Sequence, residues 1–306
     1  MQTILITGGS GLLALNWACA VRERADVVLA PHRRHVALRG TRCEALDLDD
    51  ARALTRAVAR IAPALVVHTA GLTSVDACER DPAAARHANV TIAAHAAAAA
   101  AACGARFIHI STDHLFAGTQ ALCTEDTPPA PLNVYARTKL EAEQEVLRIA
   151  PDALVVRTNF FGWGHRYRQS FSDWILASLE AGRPLTMFDD VWFTPTLCDV
   201  VVAAVTDLIA AGARGVCNVV GDERVSKFDF AQRLAQAFDL PGHLIVRGKL
   251  ATALLAAPRP RDMSLDNAKT RATLGRSLGT VDDALLALRA QDRGGRRVEL
   301  LAAVTE

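Results

Sequence analysis

Gln2-Thr3-Ile4-Leu5-Ile6-Thr7-Gly8-Gly9-Ser10-Gly11-Leu12-Leu13-Ala14 stands at the start of the chain, and its reading decides the fold. A short apolar run runs into three glycines, and an apolar helical stretch follows. Strand, glycine turn and helix in that order predict a dinucleotide-binding unit. Gly8 permits the tight turn, and Gly11 lets the backbone approach a diphosphate. Leu12 and Leu13 begin the helix, whose free N–H groups and positive dipole end face the anion. Ala14 takes the third position of the Gly-x-x-Gly-x-x-Gly/Ala pattern and calls for a slightly wider helix–strand contact.

Outward from this turn, short apolar runs alternate with helical stretches. Strands are predicted over 2–7, 27–30, 64–69, 106–111 and 153–158, and helices over 11–24, 50–60, 82–103 and 134–149. The strand runs are rich in β-branched residues and lack polar alternation, which suits strands buried on both faces. Alternating β and α elements imply a parallel sheet with right-handed crossovers. The expected fold class is therefore α/β: a Rossmann-type, doubly wound parallel sheet with a smaller C-terminal α/β region. Past residue 160, Phe, Trp, Pro and Gly cluster. Residues 1–158, with a return to the sheet within 197–222, are expected to form the cofactor domain. Residues 159–196 and 223–306 are expected to form a substrate-binding domain.

The composition excludes several classes. The 306 residues are 51% hydrophobic, too many for a disordered chain, and carry a net charge of +1. That balance argues against a nucleic-acid or membrane-surface binder, which needs a basic patch. No secretory signal is read at the N-terminus, and no apolar stretch reaches the roughly 18 residues of a membrane span. The seven cysteines are scattered without zinc spacing, so no metal is expected and a reducing cytoplasmic setting is. The excess of arginine over lysine is read as coding bias.

Cofactor choice is argued from the end of the second strand. An NAD enzyme usually has Asp or Glu there for the ribose 2′-hydroxyl. This chain has Ala30-Pro31-His32-Arg33-Arg34. Arg33 and Arg34 suit a 2′-phosphate, so NADP(H) is expected to be preferred, with NAD(H) as the alternative. Asp47 and Leu48 are placed beside the adenine.

The chain has only two tyrosines and four lysines, yet Tyr135 and Lys139 stand four apart in a helical segment. They therefore share a face. A lysine ammonium beside a phenol favours the phenolate, so the expectation is a lowered Tyr135 pKa and a usable general acid. Ser111-Thr112-Asp113-His114 ends a predicted strand, where open parallel sheets bind ligands. Thr112 is the candidate to hold a substrate oxygen, with Ser111 as its neighbour.

Together, Thr-Gly-Gly-Ser-Gly-Leu-Leu (7–13), Ser-Thr-Asp-His-Leu-Phe-Ala-Gly (111–118) and Asn-Val-Tyr-Ala-Arg-Thr-Lys-Leu-Glu-Ala-Glu (133–143) resemble the extended short-chain dehydrogenase/reductases. Within them the chain looks most like the dTDP-4-dehydrorhamnose reductase family, which Phe193-Thr194-Pro195-Thr196 and Arg259-Pro260-Arg261-Asp262 also resemble. The resemblance implies reduction of a 4-keto-6-deoxy sugar nucleotide by a homodimer, with Thr112, Tyr135 and Lys139 as catalytic residues. It implies that Ala70 and Gly71 line the cofactor, and that Asn89 matches a frequent asparagine.

Asn159, Trp163 and Arg259 are further substrate candidates. Trp163 belongs to an aromatic loop, and Arg259 with Arg261 would suit a diphosphate. Arg157 is read as a structural ion-pair partner. The chain departs from the pattern at His114, where relatives often have Tyr, at Ala117 and at Ala14. Two other functions fit the same motifs. One is a non-catalytic, NADP-binding regulatory subunit resembling the methionine adenosyltransferase β subunit. The other is a sugar-nucleotide epimerase, which needs a further acid/base group beside the Tyr. A dehydratase would need an Asp–Glu pair after Thr112, and His114 argues against it.

Overall fold

The computed structural model describes residues 1–305. Seven parallel strands form one sheet: β1 (Gln2–Thr7), β2 (Ala25–Ala30), β3 (Thr41–Cys43), β4 (Leu65–His68), β5 (Arg106–Ile110), β6 (Leu154–Arg157) and β7 (Gly215–Asn218). Their spatial order is β7-β6-β5-β4-β1-β2-β3, so the direction of winding reverses beside β1 and β4. In open α/β sheets such a reversal opens a ligand crevice outside the carboxyl ends of the strands.

The apolar runs make this sheet because each residue of a central strand meets a covered face. Leu5, Val28, Val66, Phe107 and Val155 point to one side. There they pack beneath the helices Ala51–Ile61, Ile92–Ala102 and Val134–Ile149. Ile4, Ile6, Val27, Leu29, Val67 and Ile108 point to the other side, under the helices Leu12–Val21 and Cys198–Ala210. Ala93, Ala96, Ala97 and Ala100 of the alanine-rich helix are almost wholly buried, and their small side chains allow close helix packing.

The stretch predicted as one helix over 82–103 is divided. Pro82–Arg86 is α-helical, His87–Thr91 is a π-helical turn, and Ile92–Ala102 resumes the α-helix. The π turn carries Asn89 inward. Its Oδ1 accepts from the Leu72 N–H at 2.7 Å, and its Nδ2 donates to Leu72 O at 3.2 Å and to Thr138 Oγ1 at 2.9 Å. Such insertions are frequent at functional sites. The first helix is also shorter than predicted, ending at Val21, and the return to the sheet expected within 197–222 is the strand Gly215–Asn218.

Beyond β6 the chain forms two-residue and four-residue strand pairs. Phe160–Phe161 pairs with Thr196–Leu197, Leu185–Phe188 with Ile245–Gly248, and Trp192–Phe193 with Val225–Ser226. Helices Phe171–Glu180, Lys227–Ala237 and Val281–Arg293 pack around them on a core continuous with one face of the sheet. Near the chain's end, Val304–Thr305 pairs with His35–Val36 beside the sheet, and Arg22 forms an ion pair with Glu299. Among the described residues, no helix is long and apolar enough to cross a membrane.

Candidate active site

A cleft of about 790 Å³ opens at the carboxyl ends of the strands. The glycine turn forms one wall. Gly8 has a φ of +70°, and a Cβ there would lie 2.7 Å from Ala70 N, so the turn and the loop after β4 touch through a position only glycine fits. Gly11 is the N-cap of the first helix and offers no side-chain cap. The first N–H groups are thus left for an outside acceptor, and the helix has no acidic residue in its first turn. Gly8, Gly11, Leu12 and Leu13 all line the cleft, as do Ala70 and Gly71 opposite them. Asp47 and Leu48 close the outer end.

The two arginines after β2 differ. Arg34 lines the cleft, with its guanidinium 5.0 Å from the centre of the Tyr167 ring. Arg33 is exposed and lies outside the lining, which corrects the expectation that both reach the cofactor.

At the inner end stand Ser111, Thr112, Tyr135, Lys139 and Asn159. The helix Val134–Ile149 begins at an Asn133 N-cap, whose side chain accepts from Ala136 N at 2.9 Å. That cap fixes the first turn and aims Tyr135 and, one turn on, Lys139 toward the strand ends. Lys139 Nζ donates to Ile110 O at 2.6 Å and lies 3.3 Å from His109 Nε2. Burial drops its pKa to about 8, partly countered by Glu143. Burial also pushes Tyr135 up to about 12, while the Thr112 hydroxyl beside it pulls the other way. The expected lowering of the phenol by Lys139 does not occur here, because the ammonium is turned to the strand end and burial dominates. Tyr135 is therefore a protonated phenol.

Thr112 Oγ1 lies 3.3 Å from Asp113 Oδ1 and accepts from the His114 N–H at 3.3 Å. Asn159 Nδ2 donates to Asp113 Oδ2. The hydroxyls of Ser111 and Thr158 are buried at the cleft and have no protein partner. Such orphaned groups normally find a ligand or water. Together with the glycine cradle and the uncapped helix end, they fit a dinucleotide.

Two substrate candidates lie elsewhere. Trp163 is fully buried, edge-on to Phe238 at 6.0 Å and under Arg297 at 5.1 Å. Besides Tyr135, the aromatics that line the cleft include Phe160 and Phe171. The loop alternates its side chains, so Phe160 faces the cavity while Phe161 and Trp163 enter the core. Arg259 is outside the lining as well. Its Nη2 donates to Asp76 Oδ1 at 2.9 Å and its Nη1 to Ala257 O at 3.0 Å, which ties its loop to the helix Val75–Arg80. Arg157 is the expected structural partner, bonded to Glu143 at 2.7 and 3.0 Å with both side chains buried.

Sequence reasoning missed three features. The first is a strap over residues 164–170. His165 and Arg168 exchange backbone hydrogen bonds of 3.0 and 2.9 Å, and Asp173 Oδ2 accepts from Gly164 N at 2.7 Å and Ser170 N at 2.9 Å. His165 Nε2 reaches Ser10 O at 2.9 Å and Arg168 reaches Thr73 Oγ1, so the strap touches both cleft walls. The second is a stack of buried imidazoles under Lys139. His68 and His109 are register partners on β4 and β5, with ring centres 5.6 Å apart. Burial drops His68 to about 3 and His109 well below its usual value, so both are neutral. The third is the placement of His114, named in the sequence only as a departure from the pattern: it stands edge-on to the Tyr135 ring at 5.7 Å. His68 and His109 occupy equivalent strand-end positions in the sequence, and that spacing was the available signal.

A family model described as the RmlD substrate binding domain matches residues 1–292. The chain belongs to the dTDP-4-dehydrorhamnose reductase family of extended short-chain dehydrogenase/reductases. Among its relatives, a probable low-salt glycan biosynthesis reductase from Haloferax volcanii is 30% identical over 93% of this chain and 96% of that protein. A methionine adenosyltransferase 2 subunit beta from Pongo abelii is 31% identical, covering 90% and 83%. A dTDP-4-dehydrorhamnose reductase from Mycolicibacterium smegmatis is 32% identical, covering 77% and 69%. In fold, the chain superimposes on dTDP-4-dehydrorhamnose reductase from Bacillus anthracis, solved in complex with NADP, with a TM-score of 0.85 at 22% identity, covering 95% and 100%. The family places the chain among nicotinamide-binding oxidoreductase relatives and agrees with the Rossmann-like sheet described above.

Proposed function

We propose that this protein reduces the 4-keto group of a nucleotide-diphospho-6-deoxysugar, with NADPH preferred to NADH. One observation carries the reading: Thr112, Tyr135 and Lys139 converge at the inner end of a cleft whose outer wall is the glycine turn. When bound, the dihydronicotinamide supplies the hydride. Tyr135, kept protonated by burial, gives its proton to the developing alkoxide, and the Thr112 hydroxyl orients the carbonyl. The Lys139 ammonium, held at the strand end by Ile110 O, serves to hold the nicotinamide ribose. Residues 1–158 with 197–222 serve the cofactor, and 159–196 with 223–306 serve the sugar nucleotide.

NADPH oxidation in the presence of dTDP-4-keto-6-deoxyglucose tests the reading. Wild-type protein should turn over, and Tyr135→Phe should lower kcat by about 100-fold or more, the usual contribution of a general acid. For the cofactor, Arg34→Ala should raise the KM for NADPH by about 10-fold and leave that for NADH nearly unchanged, because only NADPH has the 2′-phosphate. Equal effects on both cofactors contradict the assigned role of Arg34.

The similarity to methionine adenosyltransferase 2 subunit beta supports one other reading, a regulatory subunit. It is favoured if the protein binds NADPH, turns over no keto sugar nucleotide, and co-purifies stoichiometrically with a methionine adenosyltransferase.

A further inference from the structure

We propose that His114 is a second acid–base group of this site, and that the protein exchanges with solvent the hydrogen on a carbon next to the ketone it reduces. The inference rests on the reductase reading and extends it to the neighbouring carbon.

The geometry is specific to this side chain. His114 lines the cleft and stands edge-on to the Tyr135 ring, 5.7 Å between ring centres. About a fifth of its side chain remains open. Nε2 lies 4.0 Å from Asp113 Oδ1, while Nδ1 is buried without a partner. Asp113 is itself fixed by Asn159 Nδ2 and stands beside Thr112 Oγ1, so the carboxylate cannot swing away. An imidazole thus stands beside the phenol that would hold the carbonyl oxygen, with an anion at hand for the imidazolium.

The charges around it set the direction of proton transfer. Burial lowers the His114 pKa, Asp113 raises it, and Lys227 and Arg259 lower it again. The Lys227 ammonium is held over the Phe193 ring at 3.3 Å and the Phe171 ring at 4.7 Å. The outcome is a neutral imidazole, while Tyr135 stays protonated. Two neighbouring groups whose surroundings push their pKa values apart mark a base and an acid.

The step balances without any oxidant or co-reactant. His114 Nε2 takes the proton from the carbon beside the carbonyl. The C–H electrons form a C=C bond, and the carbonyl π electrons move to oxygen, which takes the Tyr135 proton. The imidazolium exchanges its proton with water, and the reverse step returns a solvent hydrogen to the same face of the same carbon.

The test is reduction of dTDP-4-keto-6-deoxyglucose by the full-length protein with unlabelled NADPH in D2O, followed by return to H2O and mass spectrometry. A no-enzyme control sets the background. Hydride transfer brings only light hydrogen to C4, so deuterium retained on carbon reports exchange beside the ketone. Wild-type product should carry that deuterium at C3 or C5. Deuterium per molecule reduced, or per ketone recovered, should fall about 100-fold in His114→Phe and His114→Gln. NADPH fluorescence shows that each variant is folded. Wild-type product without carbon-bound deuterium overturns the proposal and leaves the reductase reading standing, as do variants that exchange like the wild type. Exchange without reduction supports His114 and overturns the reductase reading. Neither exchange nor reduction overturns both.

Discussion

Lys139 is held by a strand-end carbonyl, Ile110 O, and by the imidazole of His109. A neutral His109 that accepts at Nε2 carries its proton on Nδ1, which is buried with no partner. An unsatisfied buried donor costs about 1–3 kcal/mol. The imidazole is thus a poor choice for the core and a good one for aiming the ammonium. His109→Leu should leave the Tm unchanged or raise it, while lowering kcat by about 10-fold. The sign of the pH effect follows from the same contact. Lys139 is charged below about 8 and loses its charge above it. Activity that needs the ammonium should therefore fall on the alkaline side near that pH. Removing the acceptor disfavours the charged form, so the limb should move to lower pH in His109→Leu. A limb that stays in place with full kcat contradicts the role. Nothing in single-residue composition marked His109; only its pairing with His68 across two strands gives it meaning.

At the scale of elements, the π turn His87–Thr91 shows where sequence periodicity stops. The run from 82 to 103 has helical composition throughout, and nothing local marks the insertion. What selects it is Asn89, which reaches Leu72 and Thr138 far away in the sequence. The turn thereby clamps the loop after β4 to the helix that carries Tyr135 and Lys139. A Cβ at Gly71 would lie 2.8 Å from Asn89 Oδ1, so the clamp also closes tightly over the cofactor loop. Asn89→Ala should cost about 1–3 kcal/mol in urea denaturation and raise the KM for NADPH more than that for the sugar nucleotide. A stability loss with both KM values unchanged would limit the asparagine to a packing role. The same lesson applies to the strap 164–170. Its anchor, Asp173, lies in the helix after it and reads in sequence only as a helix-capping acid.

For the whole molecule, the parallel sheet was legible because burial on both faces demands short, uniformly apolar strands, and the chain has them. The cofactor wall was legible because glycine at 8 answers a positive φ and a contact no Cβ permits. Tyr135, Lys139 and Thr112 were legible as neighbours because helix spacing and strand ends fix their directions. The electrostatics were not. The direction of the Tyr135 shift depends on how deeply the folded chain buries the phenol, and spacing contains no burial. The region after β6 was legible only as a change of composition. Its two-residue strands pair across long separations, and the choice between Phe160 and Trp163 for the cleft depends on a single alternation of side chains. Arg259 belonged to a loop whose partner, Asp76, lies on the far side of the sequence. The central claim joins these parts: the cleft between the glycine turn and Tyr135 carries hydride to a 4-keto sugar nucleotide. Deuteride transfer tests it most directly, using NADPH labelled at nicotinamide C4 and dTDP-4-keto-6-deoxyglucose in H2O. The account predicts product carrying the label at C4 with wild-type protein and at least about 100-fold less with Tyr135→Phe. NADPH bound by the wild type with no label transferred to the sugar would contradict it.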